Sequence, residues 1–300
     1  MDDYVPHPGL RAKRPGVIDL RSMTPGTHLC AFYQDEAELS RGAEAFVAAG
    51  LSAGDRVLYV AAGRPLPAVR ESLAGAGIPV TTAVASSQLV LRSFGEMYGG
   101  GQGTDLAEVD RGYRALASQT RADGFPALRV AAEMGDFTRF LGSVDHVLAW
   151  EQMATRLQHD EGISSVCQYD RRSLPAAGAA LIGAEHAGVA PDSVPPALVS
   201  YLAMSPAPGL AITGELDVAS RAEFARVLRA KLAVFPRLRL EVKDLTFVDL
   251  SIARELYCAA DELPADGLIT VTNASRILGR LIELAGLQHP RLVIHGPEAA

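Results

Sequence analysis

Apolar residues in this chain gather into short runs whose spacing alternates between the periods of strand and helix. Residues 27–33 (Thr-His-Leu-Cys-Ala-Phe-Tyr) read as a strand. After the polar turn Gln34-Asp35-Glu36, the apolar positions Ala37, Leu39, Ala45, Phe46 and Ala49 follow a helical pattern that ends at Gly50 or Gly54. The run at 55–61, centred on Val57-Leu58-Tyr59-Val60, predicts a short strand buried on both faces, the habit of parallel sheets. Strand, helix, strand at this spacing opens a parallel α/β sheet. The alternation continues with helices near 66–76, 106–123 and 144–159, and with strands near 89–92, 127–132 and 165–169.

Pro191, Pro195, Pro196, Pro206 and Pro208 then crowd together. Proline disfavours helix at the residue before it and donates nothing to a sheet ladder, so 189–205 is expected to be a linker. Beyond it the pattern restarts: a strand at 210–217, an amphipathic helix at 219–235 and a strand at 237–245. In that strand Leu238, Leu240 and Val242 share one face, and Arg239, Glu241 and Lys243 the other. A helix at 251–262, a strand at 268–273, a helix at 277–285 and a strand at 292–294 follow. The expected organisation is a flexible tail at 1–23, a parallel-sheet domain at 24–188, the linker, and a smaller α/β domain at 206–300.

The 300 residues are 48% hydrophobic and 21% charged, a globular composition, and the net charge is −7. A surplus of acid argues against a chain whose main work is gripping nucleic acid or an anionic membrane surface. No apolar stretch has the length of a spanning helix, and the acidic start Met1-Asp2-Asp3 is unlike a secretory signal. Cys30, Cys167 and Cys258 are far apart and form no CxxC, which suggests neither a disulfide framework nor a zinc knuckle. A cytoplasmic protein is expected.

The Gly-rich segment 99–103 lacks the Lys-Ser or Lys-Thr of a phosphate loop and is followed by Thr104-Asp105, so it reads as a surface loop. The seven histidines show no helical ligand spacing (His146 and His159 are thirteen apart), and no metal site is read from them. No G-x-S-x-G elbow occurs. Glu133 and Asp136 form a common carboxylate spacing, and Cys30 and Cys167 on predicted strands read as buried thiols. Ser251 is the sharpest local feature. It stands between the strand ending Val248-Asp249-Leu250 and a predicted helix, where it serves as an N-cap or offers a hydroxyl at a helix end that tolerates phosphate.

Two family resemblances rest on these segments. The stretch 206–296, with Ile212-Thr213-Gly214-Glu215-Leu216-Asp217 and Leu240-Glu241-Val242-Lys243-Asp244-Leu245-Thr246-Phe247-Val248-Asp249-Leu250-Ser251, resembles the STAS family of anti-sigma factor antagonists. Its phosphorylation motif, roughly Asp-Ser-Ser-Gly, falls on Asp249, Leu250, Ser251 and Ile252, so two of the four positions depart from it. The stretch 24–188 resembles the MEDS sensory domain. The matching segments are 26–33 and 54–60, Leu128-Arg129-Val130-Ala131-Ala132-Glu133-Met134, Trp150-Glu151, Cys167-Gln168-Tyr169-Asp170, and His186, after which Ala187 replaces the family's proline.

The MEDS resemblance implies a RecA-like parallel-sheet fold without its phosphate loop, and a role in sensing small hydrocarbon-derived signals. His28, Tyr33, Arg129 and Glu133 are expected to line a ligand cleft at the carboxyl edge of that sheet; the alternative is an Arg129–Glu133 pair that only orders the fold. The STAS resemblance implies a regulator without catalysis or cofactor. Ser251 would be its phosphorylation site, and Asp217, Asp249 and Ser251 its docking face for an anti-sigma factor, a serine kinase of the histidine-kinase-like ATPase type. The rival expectations are a degenerate RecA-like NTPase and a structural stressosome-like scaffold. The sequence leaves the oligomeric state open.

Overall fold

The computed structural model describes residues 16–99, 105–135, 144–174, 176–191, 199–204 and 208–297. Strand β1 (His28–Tyr33) ends at the polar turn, where Asp35 caps helix α1 (Glu36–Ser52) by accepting the backbone N–H of Glu38. Strand β2 (Arg56–Ala61), helices α2 (Leu66–Gly75) and α3 (Val80–Ala85), strand β3 (Leu89–Ser93) and helix α4 (Phe94–Tyr98) follow. Helix α5 (Leu106–Ala122), strand β4 (Leu128–Glu133), helix α6 (Val144–Glu161) and strand β5 (Ser164–Asp170) come next. Helix α7 (Ala176–Gly183) and the two-residue strand β6 (Gly188–Val189) complete the first module.

These six strands form one parallel sheet in the order β3-β2-β4-β5-β1-β6. Strands β2 and β4 are buried along their whole length; the apolar run Val57-Leu58-Tyr59-Val60 predicts this for β2, while β4 also buries the charged Arg129 and Glu133. Side-chain alternation divides the core in two. Leu29, Val57, Tyr59, Ala131 and Val166 pack with α1, α2 and α3. Cys30, Leu58, Val130, Cys167 and Tyr169 pack on the opposite face with α5 and α6.

Helix α1 approaches the sheet closely at Gly50, where an added Cβ would lie 2.6 Å from Val57 Cγ2 and 3.0 Å from Arg129 Cδ. Helix propensity favours alanine there by about 1 kcal/mol, but overpacking a filled core costs about 1–3 kcal/mol. Gly50→Ala is therefore expected to lower stability by up to about 2 kcal/mol in a thermal melt. An increase would mean that α1 lifts off the sheet without cost.

Of the tail expected at 1–23, residues 1–15 lie outside the described residues, as do 100–104 of the Gly-rich region and Asp136. From residue 16 onward that tail is part of the fold: Val17 bridges Val189, and Leu20 and Met23 are buried.

The stretch expected to be a linker holds strand β7 (Val199–Met204), which pairs antiparallel with β8 (Gly209–Leu216). Its prolines flank the strand in sequence and leave its ladder positions free of them. Helix α8 (Arg221–Val234), strands β9 (Arg237–Glu241) and β10 (Leu245–Val248) and helix α9 (Leu250–Asp261) follow. Strand β11 (Leu268–Thr272), helix α10 (Arg276–Leu284) and strand β12 (Leu292–Ile294) end the module. The single strand expected at 237–245 is thus two, separated at Lys243-Asp244.

The second sheet runs β10-β8-β9-β11-β12, with β7 also against β8. One face buries Leu210, Ile212, Leu238, Leu240, Ile269 and Val271 against α8, α9 and α10. Arg237 and Arg239 stand exposed on the other. Ala180, Leu181 and Ala184 of the first module belong to this same core. A buried ion pair, Lys231 Nζ to Glu185 Oε2 at 2.6 Å, also joins the modules. No helix among the described residues is long and apolar enough to cross a membrane.

Candidate functional site

Open parallel sheets bind ligands at the carboxyl ends of their strands, and two of the four residues expected there do occupy that edge. Tyr33 closes β1 and Glu133 closes β4. The fully buried Glu133 carboxylate accepts from Tyr59 Oη, from the Ala62 backbone N–H at 2.8 Å and from Arg64 Nε at 2.8 Å. Burial, then the charge of Glu133, pushes the Tyr59 phenol well above its ordinary range. Burial, then Asp170 and Glu133, raises that of Tyr33. A groove of about 510 Å³ opens beside Tyr33, lined by Arg21, Leu39, Gly42, Ala45 and Gln168.

His28 and Arg129 lie at the other end of the sheet. Arg129 is four residues before Glu133, about 13 Å away at a rise of about 3.3 Å per residue, so the two share a face but cannot meet. Arg129 instead donates to Asp55 Oδ2 at 2.6 Å and to the Leu20 carbonyl at 2.9 Å. The four expected residues therefore line no common cleft, and the Arg129–Glu133 pair does not form.

His28 opens β1 and enters a different constellation. Its ring lies 4.0 Å from that of His186, and its Nε2 is 3.3 Å from Glu151 Oε2 and 3.4 Å from Cys167 Sγ. His186 Nε2 is 3.5 Å from the same Glu151 oxygen. All four residues are buried, and their ligand-type atoms lie within 4.8 Å of one another. Burial pushes His28 down to about 3. Burial, helped by the neighbouring His28, pushes His186 down to about 3 as well. Burial raises the Glu151 carboxyl and holds the Cys167 thiol well above its ordinary range.

Cys167 also borders a small pocket of about 40 Å³, walled by Tyr98, Tyr113, Trp150, Met153, Leu157 and further aliphatic side chains. That is room for a small molecule of a few heavy atoms. Gln158 and Ser165 line it too; Ser165 stands against the Cys167 thiol, and the buried Gln158 Oε1 has no hydrogen-bond partner among the described residues. A buried polar atom in that state is costly, and a ligand or water that satisfies it is correspondingly favoured.

In the second module Asp249, not Ser251, caps the helix. Its extended backbone sits at the corner between β10 and α9, and its Oδ1 accepts the N–H of Ser251 at 2.8 Å and of Ile252 at 3.3 Å. Ser251 lies inside the first turn, half-buried, and its hydroxyl donates to the same Asp249 oxygen at 2.6 Å. The Asp249 N–H donates to the Leu216 carbonyl at 3.2 Å, so Asp217 and Asp249 stand side by side at the ends of neighbouring strands. The N–H groups of Ser220 and Ala219 hold the Asp217 carboxyl below its ordinary range. Val218 and Phe247 flank this end as exposed apolar side chains.

A family model described as the methanogen/methylotroph, DcmR sensory domain, MEDS, matches residues 27–186, more than half of the chain. The chain belongs to the MEDS family. The matched segment contains His28, Glu151, Cys167 and His186 together with the aromatic cavity, and it ends within the turn that carries Glu185 and His186. The second module lies outside it.

No curated protein matches the sequence. Among crystal structures, the flagellar accessory protein FlaH from Methanocaldococcus jannaschii aligns with TM-score 0.42 and 11% identity, over 61% of this chain and 75% of that one. A KaiC-like protein from Pyrococcus horikoshii OT3 aligns with TM-score 0.43 and 11% identity, over 66% and 84%.

Sequence reasoning by helical ligand spacing misses the His28, Glu151, Cys167 and His186 constellation because its members come from two strands, a helix and a turn. Two signals could have found it. Glu151 and Gln158 interrupt the apolar stripe that Val147, Trp150, Ala154 and Leu157 draw along α6. All four residues also stand in the segments on which the MEDS resemblance rests.

Proposed function

We propose that this MEDS protein is a regulator without catalysis of its own, in which the first module senses a small hydrocarbon-derived molecule that carries a hydrogen-bond donor and the second presents a switchable docking face. The aromatic cavity beside Cys167, with Gln158 and Ser165 as its polar wall, is the sensing pocket. A hydrogen-bond donor on the ligand partners Gln158 Oε1, and its apolar body fills space that only weak contacts now span. The turn after α7, tied to the second module through Glu185 and His186, carries the response across.

The second module's resemblance to the STAS family makes its partner an anti-sigma factor of the histidine-kinase-like ATPase type. The observation that carries this reading is the placement of Ser251 Oγ, half-buried in the first turn of α9 on the edge it shares with Asp217 and Asp249. Phosphorylation there adds about −1.5 to −2 charge directly against the Asp249 carboxylate that caps the helix. An unpaired charge buried in the docked complex costs about 3–5 kcal/mol, which at about 1.4 kcal/mol per decade is on the order of a hundredfold or more in affinity.

Incubating the chain with candidate anti-sigma kinases and ATP, followed by phosphosite mapping and titration, tests the reading. Phosphate is expected on Ser251, with Ser251→Asp binding on the order of a hundredfold more weakly than Ser251→Ala. Equal binding by the two variants removes the switch from Ser251.

A further inference from the structure

We propose that His28, Glu151, Cys167 and His186 form a binding site for one divalent transition-metal ion of zinc's class, built into the core of the first module. Zinc holds nitrogen, sulfur and carboxylate oxygen at about 2.0–2.3 Å, which sets ligand atoms of a tetrahedral site roughly 3.3–3.7 Å apart. Three separations here, from His28 Nε2 to Glu151 Oε2, from His28 Nε2 to Cys167 Sγ and from His186 Nε2 to Glu151 Oε2, are 3.3, 3.4 and 3.5 Å, and all the ligand atoms lie within 4.8 Å of one another. Four protein donors make a closed site, and imidazole with thiolate is the donor set that zinc-like ions prefer to magnesium or calcium.

The hydrogen bonds around the cluster fix which atoms face its centre. His186 Nδ1 meets the Ile182 carbonyl at 2.7 Å, and a carbonyl only accepts, so Nδ1 carries the proton and Nε2 a lone pair. Thr155 Oγ1 donates to the Glu185 carbonyl at 3.1 Å and therefore accepts from His28 Nδ1 at 3.0 Å, which leaves His28 Nε2 with its lone pair as well. Tyr169 Oη donates to Glu151 Oε1, so the other carboxylate oxygen turns inward. Two imidazole lone pairs and a carboxylate oxygen thus converge in a fully buried space. Glu151 Oε2 and His186 Nε2 have no hydrogen-bond partner among the described residues. A cation is the group that satisfies such a convergence, and outer partners of this kind orient and tune metal ligands. On binding, the Cys167 thiol proton passes to solvent and the thiolate takes its place on the ion.

The inference stands apart from the sensory and docking readings, since it needs neither a cavity ligand nor Ser251. The test uses the full chain produced in medium supplemented with Zn²⁺ alone or Co²⁺ alone, with metal content and absorption spectra as readouts. One ion per chain is expected. The cobalt form should show thiolate-to-cobalt charge-transfer absorption and the visible bands of a four-coordinate site. Cys167→Ser should lose the charge-transfer band, while Cys30→Ser, a neighbouring buried thiol outside the cluster, should keep it. Thr155→Val should keep the band and bind about 10–100-fold more weakly. Because the wild-type cobalt spectrum reads the sulfur directly, the test does not depend on every variant folding. Absence of stoichiometric metal, a cobalt spectrum without the thiolate band, or a band that survives Cys167→Ser overturns the proposal.

Discussion

Replacing Lys231 with alanine is expected to cost about 3–5 kcal/mol of stability, the usual penalty for stripping one partner from a buried ion pair. Lys231 Nζ and Glu185 Oε2 are 2.6 Å apart, and both side chains are almost completely removed from water. Burial alone drives the Lys231 ammonium below its ordinary range and Glu185 opposes it, so each charge is tolerated only because of the other. Without Lys231, the Glu185 carboxylate stays buried with no countercharge. Urea unfolding should show the loss, and the double change Lys231→Met with Glu185→Leu should recover most of it, since apolar replacement of a whole buried pair is often neutral. A loss below about 1 kcal/mol for the single change would mean that the pair behaves as a solvated surface contact.

Arg129→Met is expected to have an effect of the same size for the same reason. Its partner Asp55 is buried, and the guanidinium also satisfies the Leu20 carbonyl that anchors the segment before β1. A loss of about 3–5 kcal/mol corresponds to a fall of roughly 6–20 °C in melting temperature for a module of this size. An unchanged melt would show that Asp55 finds water or another cation when Arg129 is gone.

The same two residues show where the sequence was legible and where it was not. The strand at 127–132 is plain from Leu128, Val130, Ala131 and Ala132, and the alternative of an Arg129–Glu133 pair suits two positions on one face of it. That they end in separate networks follows from the rise of an extended chain, which keeps residues four apart beyond side-chain reach. The end of the second strand pair misled in a smaller way. Aspartate and serine are both good caps, and the extended backbone at Asp249 decides between them two residues earlier than the hydroxyl suggests.

Strand β7 was hidden because proline signals weigh on a whole stretch while pairing needs only six free ladder positions. The His28, Glu151, Cys167 and His186 cluster was hidden for a topological reason. Strand β1 lies between β5 and β6, so residues more than a hundred positions apart become neighbours through an order of strands that no local spacing records.

The packing of Ala180, Leu181 and Ala184 into the second core has a bearing on how such a chain evolves. Kinship draws its border at residue 186, but the hydrophobic interior crosses that border, so the second module is no interchangeable cassette. A lineage that traded it for another fold would have to redesign the last helix of the first module as well, and recombination at the border would leave each fragment with an uncovered seam.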